Sequence, residues 1–188
     1  MKSLFTVIND VIDPNLCDHV LNKYKDSPLL QNASVGLNEQ EKSDVRRSSI
    51  CWVDDSDILS TTNNIGHQVN SLEFGFDLYS VYSNKVQFTK YDSSYLGKYD
   101  WHMDSKYSNS ENLISQRKMS FIIQLSSREE YDGGEILFKI DSKEYSNADF
   151  YKKGAIIAFP SFVLHKVNEV TNGTRHSLVC WMQGPNFR

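Results

Sequence analysis

From Val86 onward the sequence is a train of short runs in which apolar and polar residues alternate, and no other feature restricts the fold so much. Val86–Tyr91, Met119–Leu125, Glu135–Ile140, Ala155–Phe159, Val163–Val170 and Thr174–Met182 each read as a strand, because a period of two sends successive side chains to opposite sheet faces. Turn chemistry separates them at Asp132-Gly133-Gly134, Lys153-Gly154 and Asn172-Gly173. Asn172-Gly173, flanked by two alternating runs, predicts a hairpin. Short strands at this spacing predict a mainly β chain folded as a β-sandwich or jelly roll.

The chain before Val86 has another texture and predicts N-terminal helices packed on one sheet. Asp13 is a good N-cap and Pro14 suits a first helical position. Leu16, Val20, Leu21 and Tyr24 then recur at helical spacing until Ser27-Pro28. Residues 29–49 are polar and read as an excursion. A second helix starts near Ser56 or Asp57 and runs through Ile58, Leu59, Ile65, Val69 and Leu72, although Thr61-Thr62-Asn63-Asn64 is poor in helix formers. The resulting division is a helical support region, 1–85, and a β core, 86–188, within one structural domain, which a chain of 188 residues suits.

Hydrophobic residues at 39% and aromatics at 12% supply a core. The net charge of −4, with no basic run longer than a pair such as Arg46-Arg47, argues against capture of a polyanion, so no nucleic-acid partner is expected. Three cysteines without a CxxC pair predict no disulfide framework and a reducing cytoplasm. The opening MKSLFTVINDVID lacks the apolar core of a signal peptide, and no stretch approaches the roughly 18 apolar residues of a membrane span. The expectation is a soluble cytoplasmic protein with no membrane partner. Nothing in the pattern speaks to oligomeric state.

The chemistry concentrates in a few residues. Tyr99-Asp100-Trp101-His102-Met103-Asp104 holds an HxD; on a strand, His102 and Asp104 share a face about 7 Å apart and can converge on one ion. His165, in Phe162-Val163-Leu164-His165-Lys166-Val167, offers a third ligand. Two imidazoles and one carboxylate on one side of a metal leave positions open for a co-substrate and dioxygen, as in non-haem iron(II) oxygenases. An HxD alone is more often a surface pair, and a lone His is usually structural. The residues beyond His165 change the balance. Ten positions on, across the predicted Asn172-Gly173 turn, comes Arg175, which a hairpin would return near the level of His165. Arg175 shares parity with Ser177, and its planar guanidinium pairs bidentately with carboxylates. With a hydroxyl from Ser177, this makes a pocket for a dicarboxylate reached from the metal. The plain alternative is a strand arginine in a surface salt bridge.

Several stretches together carry a resemblance: Gln87–Tyr91, Tyr99–Asp104, Arg117–Ser126, Tyr131–Ile136, Gly154–Pro160 and His165–Trp181, with a weaker match at Val45–Ser48 and Trp52. In this order they resemble the prolyl 4-hydroxylase-like branch of the iron(II)/2-oxoglutarate oxygenases, including the small PKHD-type hydroxylases. The resemblance implies a double-stranded β-helix with Fe(2+) between its sheets, held by His102, Asp104 and His165. It implies that Arg175 binds the far carboxylate of 2-oxoglutarate and that Tyr91 reaches the same co-substrate. Tyr99 matches a second aromatic near the pocket, Trp181 a bulky residue beside the iron, and Gln124 a strand position lining the 2-oxoglutarate site. The implied reaction uses O2 to hydroxylate an unactivated C–H with release of succinate and CO2, with ascorbate as a supporting reductant. The implied substrate is a prolyl or other peptidyl residue; a free amino acid, nucleobase or small metabolite is the alternative, and a non-catalytic cupin-like metal module the more distant one. Asp104, rather than a small residue at that position, favours hydroxylation over halogenation. Ser105–Gln116 after the HxD is polar and long, as expected of a lid or substrate loop. No peptide-binding annex is identifiable.

Overall fold

Two antiparallel sheets, each assembled from strands distant in sequence, form the frame of the computed structural model, which describes residues 3–33, 44–79, 86–105 and 115–187. In chain order the strands are β1 (Thr6–Ile8), β2 (Gln31–Asn32), β3 (Arg46–Arg47), β4 (Ser49–Trp52), β5 (Val86–Asp92), β6 (Lys98–His102) and β7 (Gln116–Gln124). They continue with β8 (Tyr131–Gly133), β9 (Ile136–Ile140), β10 (Lys143–Tyr145), β11 (Ile156–Pro160), β12 (Leu164–Val167) and β13 (Val170–Gly184). The major sheet runs β1-β11-β7-β13-β5-β4-β2, with β8 also pairing with β13; the minor sheet runs β10-β9-β12-β6-β3. This is the expected mainly β jelly roll with few helices. β1, on the edge of β11, has no counterpart among the predicted strands.

Helices α1 (Pro14–Tyr24) and α2 (Ser56–Val69, continued by a π turn over Asn70–Phe74) cover one face of the major sheet. Asp13 caps α1 by accepting from the Asn15 N–H at 2.9 Å, and Asp55 caps α2 by accepting from Asp57 and Ile58. The helical periodicity of α1 buries Cys17, Val20 and Tyr24, and the Tyr24 ring lies 5.8 Å from that of Phe88. In the unfavourable centre of α2, Thr62 is buried and its Oγ1 donates back to the carbonyls of Ile58 and Leu59. A Cβ on Gly66 would stand 2.5 Å from Met182 Sδ, so a larger residue there would require the Met182 side chain to move. Leu72, included in the predicted apolar face, is instead 63% exposed in the π turn.

The strand period sorts the major sheet's side chains. Phe88, Phe121, Ile123, Ile156, Leu178, Cys180 and Met182 join the helix-side core. Tyr91, Ile122, Ile157 and Phe159 point the other way, into a second core shared with Ile136, Phe138 and Val167 of the minor sheet. Among the described residues no helix is long and apolar enough to cross a membrane. The three cysteines are free and buried.

One predicted turn is overturned. Asn172-Gly173 does not close a hairpin; it lies inside β13, and β12 and β13 belong to different sheets. Gly173 has φ of +67°, and a Cβ there would come within 2.0 Å of the Glu130 carbonyl oxygen. Its glycine therefore serves close approach of β13 to β8, beside the register shift between Val170 and Asn172, rather than a reversal of the chain. The expected loop Ser105–Gln116 lies for the most part, 106–114, outside the described residues.

Candidate active site

Direct pairing of β12 with β6 places His165 opposite His102, with the ring centroids 4.2 Å apart. Asp104 sits just beyond the end of β6. There the chain is docked by the Ser105 N–H, which donates to the Ser161 carbonyl at 2.8 Å. The Asp104 carboxylate reaches between the two rings: Oδ1 is 3.8 Å from His102 Nε2, and Oδ2 is 3.8 Å from His165 Nε2. One ligand atom from each of the three residues lies within 4.8 Å of the others, as convergence on a single ion requires.

The backbone decides which nitrogens face that point. His102 Nδ1 is 2.8 Å from the Asp100 carbonyl, and His165 Nδ1 is 2.9 Å from that of Val163. A carbonyl oxygen only accepts, so both Nδ1 atoms carry a proton there and it is Nε2 of each ring that is turned inward. Burial, reinforced by His165, pushes the His102 pKa down to about 3, so this ring is neutral at neutral pH and fit to be a ligand. Burial works to raise the Asp104 carboxyl, but His165, His102 and the Ser120 hydroxyl outweigh it and hold the group below the usual range.

Sequence reasoning missed the residues that hold Asp104. Ser120 Oγ donates to Asp104 Oδ2 at 2.7 Å and lies 2.9 Å from Ser161 Oγ, and neither serine is exposed. Ser120 faces the site because it has the inward parity of β7; an inward hydroxyl between Met119 and Phe121 was the available signal. Tyr99 stacks on His102, at 3.4 Å between centroids and 14° between planes, which places it against a ligand ring.

The second half of the site stands on β13 and its neighbours. Arg175 is paired in register with Tyr91, and Ser177 with Gln124. Arg175 is 1% exposed, and its Nε and Nη2 have no hydrogen-bond partner; the same holds for Ser177 Oγ, Gln124 Oε1 and Trp181 Nε1. The alternative of a surface salt bridge is thereby removed. The guanidinium lies 5.6 Å from the Tyr91 ring centroid, in the layer between the sheets into which His165 also packs, against Phe159 at 4.5 Å. Gly134 makes room: a Cβ there would lie 3.2 Å from Arg175 Cδ.

Gln124 spends its amide N–H groups on the Ser126 carbonyl and on the hydroxyl of Tyr131, at 3.1 and 3.0 Å. Because Tyr131 accepts that bond, its own hydroxyl proton is left to donate elsewhere. Tyr131 is 2% exposed, and sequence reasoning did not single it out. An unpaired buried charge with orphaned donors around it is costly for a protein to keep. The cost is offset when a carboxylate arrives. Two imidazole Nε2 atoms and a carboxylate at one end, and a guanidinium with hydroxyl donors at the other, fit a divalent metal and a small diacid between the sheets.

Comparisons with known proteins identify the family and the fold of the chain. The family model described as the 2OG-Fe(II) oxygenase superfamily matches residues 86–183. A PKHD-type hydroxylase of Synechococcus sp. (strain JA-2-3B'a(2-13)) is 38% identical over 85 residues, covering 45% of this chain and 37% of the relative. The chain thus matches well under half the length of that relative. Among solved structures, a Pseudomonas putida prolyl-4-hydroxylase superposes with a TM-score of 0.74 over 97% of this chain and 94% of the other, at 17% identity. A Trichoplax adhaerens prolyl hydroxylase, solved with a hypoxia inducible factor oxygen degradation domain peptide fragment, superposes with a TM-score of 0.70. It covers 95% of this chain and 83% of the other, also at 17% identity. At such identity the two structures speak for the fold.

Proposed function

Since the chain belongs to the 2OG-Fe(II) oxygenase superfamily, we propose that it is an iron(II)- and 2-oxoglutarate-dependent dioxygenase that hydroxylates an unactivated C–H bond, most fittingly of a prolyl or other peptidyl residue. His102, Asp104 and His165 would hold Fe(2+) through the two Nε2 atoms and the carboxylate. Arg175, with Ser177 and Tyr91 beside it, would hold the far carboxylate of 2-oxoglutarate. The observation that carries this reading is the buried Arg175 guanidinium without an anion, in the same inter-sheet layer as the triad.

Iron with bound 2-oxoglutarate and O2 supplies the oxidising chemistry, with succinate and CO2 as co-products; the protein supplies geometry and exclusion of water. The Asp100 and Val163 carbonyls orient the two histidines so that Nε2 of each would face the metal. Ser120 occupies one oxygen of Asp104 and steadies the other. Arg175 fixes the diacid from the back of the slot and orients it before any substrate enters. The peptidyl substrate class is supported by the prolyl hydroxylase whose solved structure contains a peptide.

The test is succinate release in the presence of Fe(2+), 2-oxoglutarate and ascorbate. A metal-to-ligand charge-transfer band should appear when 2-oxoglutarate is added to the anaerobic iron(II) protein. No band and no succinate would sink the assignment.

A further inference from the structure

Two more guanidiniums converge on the triad, and neither is needed to hold the metal or the diacid. β7 pairs with β13 as Met119 with Met182 and then Arg117 with Gln183, so Lys118 is the extra residue of a bulge. Ser120 pairs with Trp181 on the inward face, and skipping one residue returns Arg117 to that face. The result is visible in its contacts: Arg117 Cζ lies 4.0 Å from the Trp181 ring centroid, and its Nη1 reaches the Asp104 carbonyl at 3.5 Å. From the other side, Arg46 stacks at 4.5 Å on Tyr99, which itself stacks on His102. Arg46 donates to the Ser48 hydroxyl and the Gln87 amide oxygen, both neutral. Neither arginine has a carboxylate side chain bonded to it among the described residues. Beside them, the buried Trp181 Nε1–H lacks an acceptor.

The charges do not cancel. With metal and co-substrate in place, Asp104 and one carboxylate of the diacid balance the ion, and Arg175 balances the other carboxylate. Among the described residues Arg46 and Arg117 are left over, half-buried, in a chain whose net charge is −4. Burying unpaired charge is expensive, so a site that keeps two such groups awaits an anion.

We propose that the primary substrate carries a carboxylate close to the carbon that reacts, bound by Arg117 and Arg46 with the Trp181 indole N–H as a further donor. This rests on the dioxygenase reading and specifies its substrate class: an acidic peptide segment, with a free amino acid's carboxylate as the other source of the same chemistry. Fork-shaped donors on two sides fit carboxylate oxygens, and their like charges reject a basic substrate.

The protein loaded with Mn(II) in place of iron, and with 2-oxoglutarate, is titrated with three end-blocked prolyl peptides flanked by Glu, Gln or Lys, and with free proline and prolinamide. Binding is read by calorimetry. The Glu peptide, or free proline if the source is a free amino acid, should bind about tenfold or more tighter than its amide counterpart. The Lys peptide should bind most weakly, and added salt should narrow the spread. Arg117→Gln and Arg46→Gln should each remove most of the preference and leave Mn(II) and 2-oxoglutarate affinity within about twofold. Arg117→Lys, which keeps the charge, should keep the order of the three peptides. Equal binding of acidic and neutral ligands, or a preference that survives the double Gln variant, would overturn the proposal. Failure of the unmodified protein to take up Mn(II) and 2-oxoglutarate would instead overturn the dioxygenase reading beneath it.

Discussion

On the helix side of the major sheet, Phe88, Phe121, Ile123, Leu178, Cys180 and Met182 interlock with α1 and α2 through apolar contact. One residue away along the same strands, Gln87, Thr89, Tyr91, Ser120, Gln124, Arg175 and Ser177 are as deeply buried, yet several of their polar atoms have no partner. The two faces share a backbone, a register and a degree of burial, so the difference is one of purpose. A face that satisfies itself contributes stability, and a face left unsatisfied is shaped for something that arrives later.

The sharpest way to break that contrast is to exchange the consequences of mutating each side. His102→Ala or Asp104→Ala should abolish both metal uptake and succinate formation while the fold persists, checked by metal titration alongside circular dichroism. Phe121→Ala, on the other face, should cost about 3–5 kcal/mol of stability in denaturant unfolding. Metal affinity in the folded fraction should stay unchanged; a loss there would mean that the faces are not separable.

Arg175 permits a subtler inversion. Arg175→Ala should weaken 2-oxoglutarate binding by about 2–5 kcal/mol with little change in metal affinity. Arg175→Met should also lose 2-oxoglutarate and yet stabilise the ligand-free protein by roughly 1–2 kcal/mol, because an unpaired buried charge is replaced by packing. A melting temperature below that of the unmodified protein would show that the guanidinium is satisfied after all. Smaller still is the effect of Ser120→Ala, which should lower metal affinity about 10- to 100-fold by releasing Asp104, with Ser120→Thr restoring it.

The helix-side face also holds a titratable imidazole. His176 packs on Phe88, and burial pulls its pKa down to about 4. Unfolded chain with an ordinary imidazole binds a proton that the folded chain refuses between about pH 6.5 and 4. Stability is therefore whole above that window and lost as pH falls through it, by up to about 1.4 kcal/mol per pH unit from this group. The urea midpoint of His176→Gln should vary less across the window; an unchanged slope would assign the acid sensitivity elsewhere.

Much of this contrast is legible in the sequence. Alternation in Val86–Tyr91 and Met119–Leu125 assigns both faces their residues, because a strand's period is fixed by backbone geometry. The HxD, His165 and Arg175 stand out as residue types that have few structural uses together. Signals that depend on two strands at once are not visible there. Asn172-Gly173 looks like a turn in one dimension, and only the approach of β8 shows why glycine is needed. The bulge at Lys118 is a relation between β7 and β13, so Arg117 reads by parity as facing the helices. Tyr131 and Ser161 are common residues whose roles come from hydrogen-bond partners elsewhere in the chain. β1 is short, and its pairing with β11 is supplied by tertiary structure.

The register of β13 has a mechanical corollary. His165 belongs to one layer and Arg175 to the other, and the place of Arg175 is set by the register of β13 on β5 and β7. A two-residue slip of that register would shift Arg175 along the slot relative to a triad on the opposite sheet. The span between guanidinium and triad would be altered with every contributing side chain intact.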